Sequence, residues 1–169
     1  MSLSATALDI ARTQIGVTET SRNRSPQIDE YVRAVGLDPA GEYSWCSAFL
    51  FWVFRSAAKR AGLVNPYPKT ASSLRVWRFA EPICRDSNPT VGAVFVLKHS
   101  DTTGHVGIVE SVTDGVPTCI SGNTFDGKGG REGNCVARHV GTPEVVHGPA
   151  TLLGYLAFDL AAQSPSVVA

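Results

Sequence analysis

Residues 45–61, WCSAFLFWVFRSAAKRA, read as a helix that is apolar on nearly every face through its first turns. A helix of that kind has no side to offer to water, so the rest of the chain must enclose it. Gly62 fits the left-handed cap that ends such a helix. One central helix of this length, in a chain of 169 residues that is 43% hydrophobic, fits a single domain with a core of its own.

The segments available to do the enclosing are readable from their spacing. Leu8, Ala11 and Ile15 predict a helix over 5–14. Ser25 followed by Pro26 reads as an N-cap and first helical residue; Ile28, Tyr31, Val32 and Val35 then form one apolar face, closed by Gly36. A short helix is predicted over 72–79. Strands are predicted over 93–97, 105–112, 118–121, 135–140 and 152–158, with Asp114-Gly115 as a hairpin turn and 123–133 as a glycine-rich loop. Helices followed by a largely antiparallel meander indicate an α+β fold, with the buried helix packed across one face of the sheet. No repeat and no long linker divides the chain, so residues 1–160 are expected to form one domain and 161–169 a flexible tail.

Composition removes several functions. Fifteen basic and 15 acidic residues leave no formal charge, which disfavours nucleic acid as a partner. No stretch of about 18 apolar residues is present, so no membrane span is expected. The N-terminal residues MSLSATALDIARTQIGV lack a basic region followed by a long apolar run, so the chain is expected to be made in the cytoplasm without a Sec signal. Cys46, Cys84, Cys119 and Cys135 show no CxxC spacing, and neither a metal nor a cofactor is expected.

Cys46 opens the buried helix. Unpaired N–H groups and the helix dipole at that end favour a thiolate, lowering the thiol pKa; the plainer alternative is a structural cysteine in an apolar run. His105 opens the strand GHVGIVESV between Gly104 and Gly107, and His99, in a polar turn, is its competitor as a general base. Ser121 and Asn123 share strand parity and could face the same cleft, where Asn123 would orient the imidazole and Ser121 would support it. Asn123 is also ordinary turn chemistry. Trp45 and Trp77 are candidates to line a substrate groove, whereas Trp52 reads as core.

These motifs, taken in order, resemble a known family. YSWCSAFLFWVF resembles the nucleophile motif of CHAP-domain peptidoglycan hydrolases, within the wider NlpC/P60-like, papain-like group. GHVGIVESV resembles the motif holding their histidine, and ISGNT the following strand, where Glu-x-Asn is common. The likeness runs over roughly 5–158. It implies a papain-like α+β fold and peptidoglycan as the partner. It also implies Cys46 as nucleophile, His105 as base and Asn123 as the third residue. Ser121 stands where an acidic residue is common, and Ala93 where Gly-Asp often precedes the strand. The implied reaction is hydrolysis of an amide, either N-acetylmuramoyl-L-alanine or a stem or cross-bridge peptide bond, by a monomer acting in the periplasm or wall. A secreted antibacterial effector, which would require an immunity protein, and a phage lysin both fit. A non-catalytic wall-binding module and an intracellular cysteine protease or transamidase are the alternative classes.

Overall fold

The computed structural model describes residues 1–125, 133–141, 144 and 148–159. The tail expected at 161–169 and most of the glycine-rich loop lie outside the described residues. The order of elements is α1 (Leu3–Thr13), α2 (Pro26–Ala34), α3 (Cys46–Ala61) and α4 (Ser73–Phe79), then β1 (Arg85–Asp86), β2 (Val94–Lys98), β3 (Gly104–Thr113), β4 (Val116–Thr124), β5 (Cys135–Val140) and β6 (Thr151–Leu156). The strands form one sheet in the order β1-β6-β2-β3-β4-β5, every neighbouring pair antiparallel. This is the α+β arrangement expected.

Local signals explain the helix ends. The Ser2, Ser25 and Ser72 hydroxyls each accept from a first-turn N–H, Pro26 starts α2, and Gly62 at φ 67° ends α3. Asp114 and Gly115, both at positive φ, turn β3 into β4 as a two-residue hairpin. β2 to β5 form the meander. β6 then crosses to the far side of β2, and the short β1 pairs outside it.

α3 lies between the sheet and the other helices. Ala48, Phe49, Leu50, Val53, Phe54 and Ala57 are fully buried, and the core they share takes in Leu8, Ile28, Tyr31, Val94, Val96, Val106, Ile108 and Ile120. At about 1.5–3 kcal/mol for each large apolar side chain, this helix is the main hydrophobic contribution to the fold. The sheet's other face carries a second cluster around Phe95, Leu97, Val109, Cys119 and Tyr155. The segment after α1 covers the outer edge of β5, exchanging Gly16 N–H to Val136 O (2.9 Å) and Val136 N–H to Val17 O (2.8 Å).

Glu110 ties these layers together. It is the extra residue of a bulge in β3, where the register shifts between Val109 and Ser111. Its carboxylate accepts from Arg12 Nε of α1 (2.9 Å), from Arg138 Nη2 of β5 (2.8 Å) and from Arg138 Nε. Those guanidinium hydrogen bonds hold its pKa down to about 2 against a burial effect of opposite sign. The stabilisation is therefore complete above pH 4.5, the ordinary value, and fades as pH falls toward 2. Glu110→Gln should cost about 2–3 kcal/mol in urea unfolding at neutral pH, with the gap to the parent closing as the pH is lowered through that window. An unchanged gap at low pH would remove the charge from this account.

Candidate active site

The Trp45–Cys46 step is where chain entry, helix start and sheet meet. Trp45 is the N-cap of α3 and contributes no side-chain capping bond, so the first-turn N–H groups face whatever lies at the helix end. What lies there is the thiol of Cys46. It meets the backbone N–H groups of Cys46 and Ser47 and, across from the helix, that of Val106 on β3. Val106 follows His105, so the thiol reaches the sheet at the peptide joining those two residues.

The electrostatic outcome differs from the sequence expectation. Burial pushes the Cys46 thiol up to about 11, outweighing the three N–H groups that act to lower it. The dipole at a helix end is a partial charge, whereas the thiol is only 4% exposed, and removing the solvation of a full anion is the larger effect. Cys46 thus rests as a thiol.

His105 is buried at the start of β3, on the Phe95 side of the strand and at the open end of the β3–β4 ladder, one residue before the Val106 N–H that the Cys46 thiol meets. Strand alternation puts Val106 and Ile108 into the α3 core, and His105, Gly107 and Val109 on the other side. The His105 ring centroid lies 6.0 Å from that of Phe95, which in turn is 6.1 Å from that of His139 on β5. Gly107 makes this cluster possible, because a Cβ there would stand 2.2 Å from Ser121 Oγ and 2.5 Å from Phe95 Cε1. Ser121, fully buried on β4, is hydrogen-bonded through Oγ to His139 Nε2 at 3.0 Å. His139 is held well below the ordinary imidazole value, at about 4, by burial, so it is neutral near pH 7. His99 sits exposed in the β2–β3 turn.

The β3–β4 ladder extends from the hairpin to Ile108↔Ile120 and stops there. Beyond it β4 bulges, with the register against β5 shifting between Ser121 and Thr124. Asn123 occupies that bulge in left-handed conformation, φ 52°. The parity argument that gave Ser121 and Asn123 a common face therefore fails, since an extra residue redirects the side chains that follow it. Gly122 beside it lets the helix end approach, as a Cβ there would be 2.7 Å from Trp45 Cζ3 and 2.9 Å from Phe49 Cβ.

Neither tryptophan has the setting expected of it. Trp45 is fully buried against Tyr31, and its Nε1–H donates to Glu19 Oε1 at 2.9 Å. It is a core residue, because the same helix end that presents Cys46 turns the preceding side chain inward. Trp77, half-buried on α4, lies under the Arg85 guanidinium at 4.9 Å and against Gly154 of β6, two strands from β3.

Sequence reasoning missed three supports of this site. Glu19 holds Trp45 and also accepts from Asn23 N–H (2.9 Å), while Asn23 Nδ2 donates to Glu42 O (2.7 Å), so the loop before α2 clamps the approach to Cys46. Ser47 Oγ donates to Thr70 O at 2.7 Å, anchoring the loop ahead of α4. His139 is the third. Its alternation along CVARHV was readable, but its register opposite Cys119, two pairs from Ser121, was not.

Among the described residues no group of three or more His, Cys, Asp or Glu side chains could hold a metal ion, and no helix is long and apolar enough to cross a membrane. All four cysteines are buried thiols rather than halves of a disulfide. A family model, the CHAP domain, matches residues 38–123, a span that contains Cys46, His105 and Ser121 and ends on Asn123. No curated protein and no solved structure matches the chain.

The raised thiol pKa has a direct readout. Iodoacetamide labelling of the native protein, followed at the Cys46 peptide by mass spectrometry, should be slow near pH 7 and still accelerating at about pH 10. A rate already on its plateau below about pH 7 would establish a preformed thiolate and overturn the dominance of burial.

Proposed function

The chain belongs to the CHAP-domain family, whose members are generally hydrolases acting on peptidoglycan, and from that premise we propose that it hydrolyses a peptidoglycan amide bond with Cys46 as nucleophile and His105 as general base. The observation that carries this reading is the meeting of the Cys46 thiol with the N–H of Val106, the residue after His105, at the open end of the β3–β4 ladder.

The chemistry is acyl transfer. Because the thiol rests protonated, its proton must leave as the sulfur attacks, and His105 accepts it. The imidazolium then protonates the departing amine. The helix-start N–H groups of Cys46 and Ser47 stabilise the oxyanion of the tetrahedral intermediate. Water, deprotonated by His105, releases the acyl group and restores the thiol. Ser121 stands where an acidic residue is common in the family, so orientation of the His105 ring falls to Asn123 in this reading. Asn123 stands at the family's polar third position. The bond cleaved is the N-acetylmuramoyl-L-alanine amide or a peptide bond of the stem or cross-bridge, and the reaction takes place in the periplasm or wall, where that polymer lies. An antibacterial effector and a phage lysin are the settings that fit such an enzyme.

Purified sacculi provide the test. The parent protein should release soluble fragments whose masses identify the bond. Cys46→Ala and His105→Ala should each lower the rate by at least ~10³-fold while retaining the folded circular-dichroism spectrum. Asn123→Ala should cost about 10–100-fold, as expected of a group that acts through another. Equal release by the parent and Cys46→Ala, or none by either, would exclude Cys46 catalysis. Cleavage of casein with sacculi left intact would exclude the wall as substrate.

A further inference from the structure

Charge is unevenly distributed along this neutral chain. Between residues 55 and 81 stand Arg55, Lys59, Arg60, Lys69, Arg75 and Arg78, all exposed, against one acid, Glu81. The chain has 15 residues of each sign, so the remainder is acidic. Lys69 lines, and Arg55 and Arg75 stand against lining residues of, a groove of about 790 Å³ between α3 and the 62–69 segment; Cys46 is not among its lining residues.

The groove has the character of a protein-binding surface. Phe51, Tyr67 and Phe158 contribute to its lining, and Val64 and Phe79, at its rim, are 77% and 63% exposed. Large exposed apolar side chains gathered around a concavity mark association sites. Cations stand over this apolar surface: the Arg55 guanidinium is 6.0 Å from the Phe51 ring centroid, and that of Arg75 is 6.0 Å from the Phe79 ring centroid. Arg55 and Lys59, one helical turn apart, continue the face of α3 on which Phe51 lies.

An independent feature lies in the wall of the same groove. Asn65 Oδ1 accepts from Tyr67 N–H at 3.1 Å, which fixes the amide orientation and turns Nδ2 the other way. Nδ2 is buried without a partner among the described residues. A buried N–H₂ group left unpaired is costly, so the 62–69 segment holds a donor that only a shift of this wall would expose to an acceptor.

We propose that this groove docks an acidic protein segment, one apolar side chain of which seats between Val64 and Phe79 while its carboxylates face Arg55, Lys59, Lys69 and Arg75. A polypeptide fits better than a lipid surface, because the site is a concave groove with apolar side chains at its rim and separate cations beside it, which side chains of alternating character can match. The groove does not use Cys46 chemistry, so the proposal stands apart from the hydrolase reading.

The test is selection from a random peptide library displayed on phage against the immobilised full chain, followed by fluorescence anisotropy on the enriched peptides. Vesicles of phosphatidylglycerol form a parallel arm. Enriched sequences should carry Asp or Glu around a Phe, Leu or Trp. Their affinity should fall about tenfold between low and moderate salt, and at least about tenfold on Val64→Asp or on Arg55→Glu combined with Lys59→Glu. All these side chains are exposed, and sacculus hydrolysis by Val64→Asp should equal that of the parent. Enrichment of neutral or basic peptides, binding indifferent to Val64→Asp, tighter binding to the vesicles than to any peptide, or no enrichment would each overturn the proposal.

Discussion

The first turns of α3 are apolar on nearly every side and have to be enclosed, while its later turns present Arg55, Lys59 and Arg60 to solvent; the enclosed part sets the positions of everything around it. The sheet supplies one wall through Val94, Val96, Val106, Ile108 and Ile120, and α1 and α2 supply the others through Leu8, Ile28 and Tyr31. The enclosure also fixes where the helix begins. Its N-terminus presses on β4 at Gly122, where any side chain would collide with Trp45 and Phe49, and its first thiol meets β3 at Val106. Packing of the helix and placement of the Cys46 thiol are thus one event. Deforming the core here would move the chemistry, since interiors at this density transmit strain rather than absorb it.

The same enclosure decides the state of Cys46. A helix N-terminus and three N–H groups favour the thiolate, yet burial favours the thiol and prevails. The consequence for the proposed mechanism is that the sulfur keeps its proton until substrate arrives. An exposed thiolate reacts with whatever oxidant or electrophile reaches it, whereas a buried thiol with a pKa near 11 is protected while idle. In the acylation step the cost of forming the anion is offset by transfer to His105 and by the N–H groups already aimed at the helix end.

Much of this was legible in the sequence, for identifiable reasons. α3, its Gly62 cap, the Ser25-Pro26 start of α2 and the 114–115 hairpin all depend on contacts within a few residues, which composition and spacing report directly. Cys46 and the start of β3 could be singled out for the same reason, with the CHAP match spanning both. What failed to show in the sequence depends on register. Period-2 alternation assigns faces only while the ladder is regular, and the bulges at Glu110 and at residues 122–123 break it. Glu110 accordingly read as an ordinary strand residue rather than as the tie between α1 and β5, and Asn123 read as a partner in parity with Ser121. The pairing of His139 with Ser121 crosses a long loop whose length says nothing about which rows will meet. Trp45 was ambiguous because an aromatic at a helix boundary can turn either way, and only Glu19, 26 residues earlier, decides it.

Ser121 shows how packing and electrostatics constrain one another at such a site. Its hydroxyl is fully buried, bounded by Gly107 and Phe95 and hydrogen-bonded to His139. The position where a Cβ would stand on Gly107 is only 2.2 Å from Ser121 Oγ, so the space is already filled and a longer acidic side chain would have to displace Phe95 or the strand itself. A carboxylate held there would also lose its solvation among aromatic rings, beside an imidazole that burial keeps neutral. A small hydroxyl paired with a neutral imidazole avoids both penalties. It keeps its charge state from neutral pH down toward the His139 pKa of about 4, so the polar support on the His105 side of β3 is set by geometry rather than by titration.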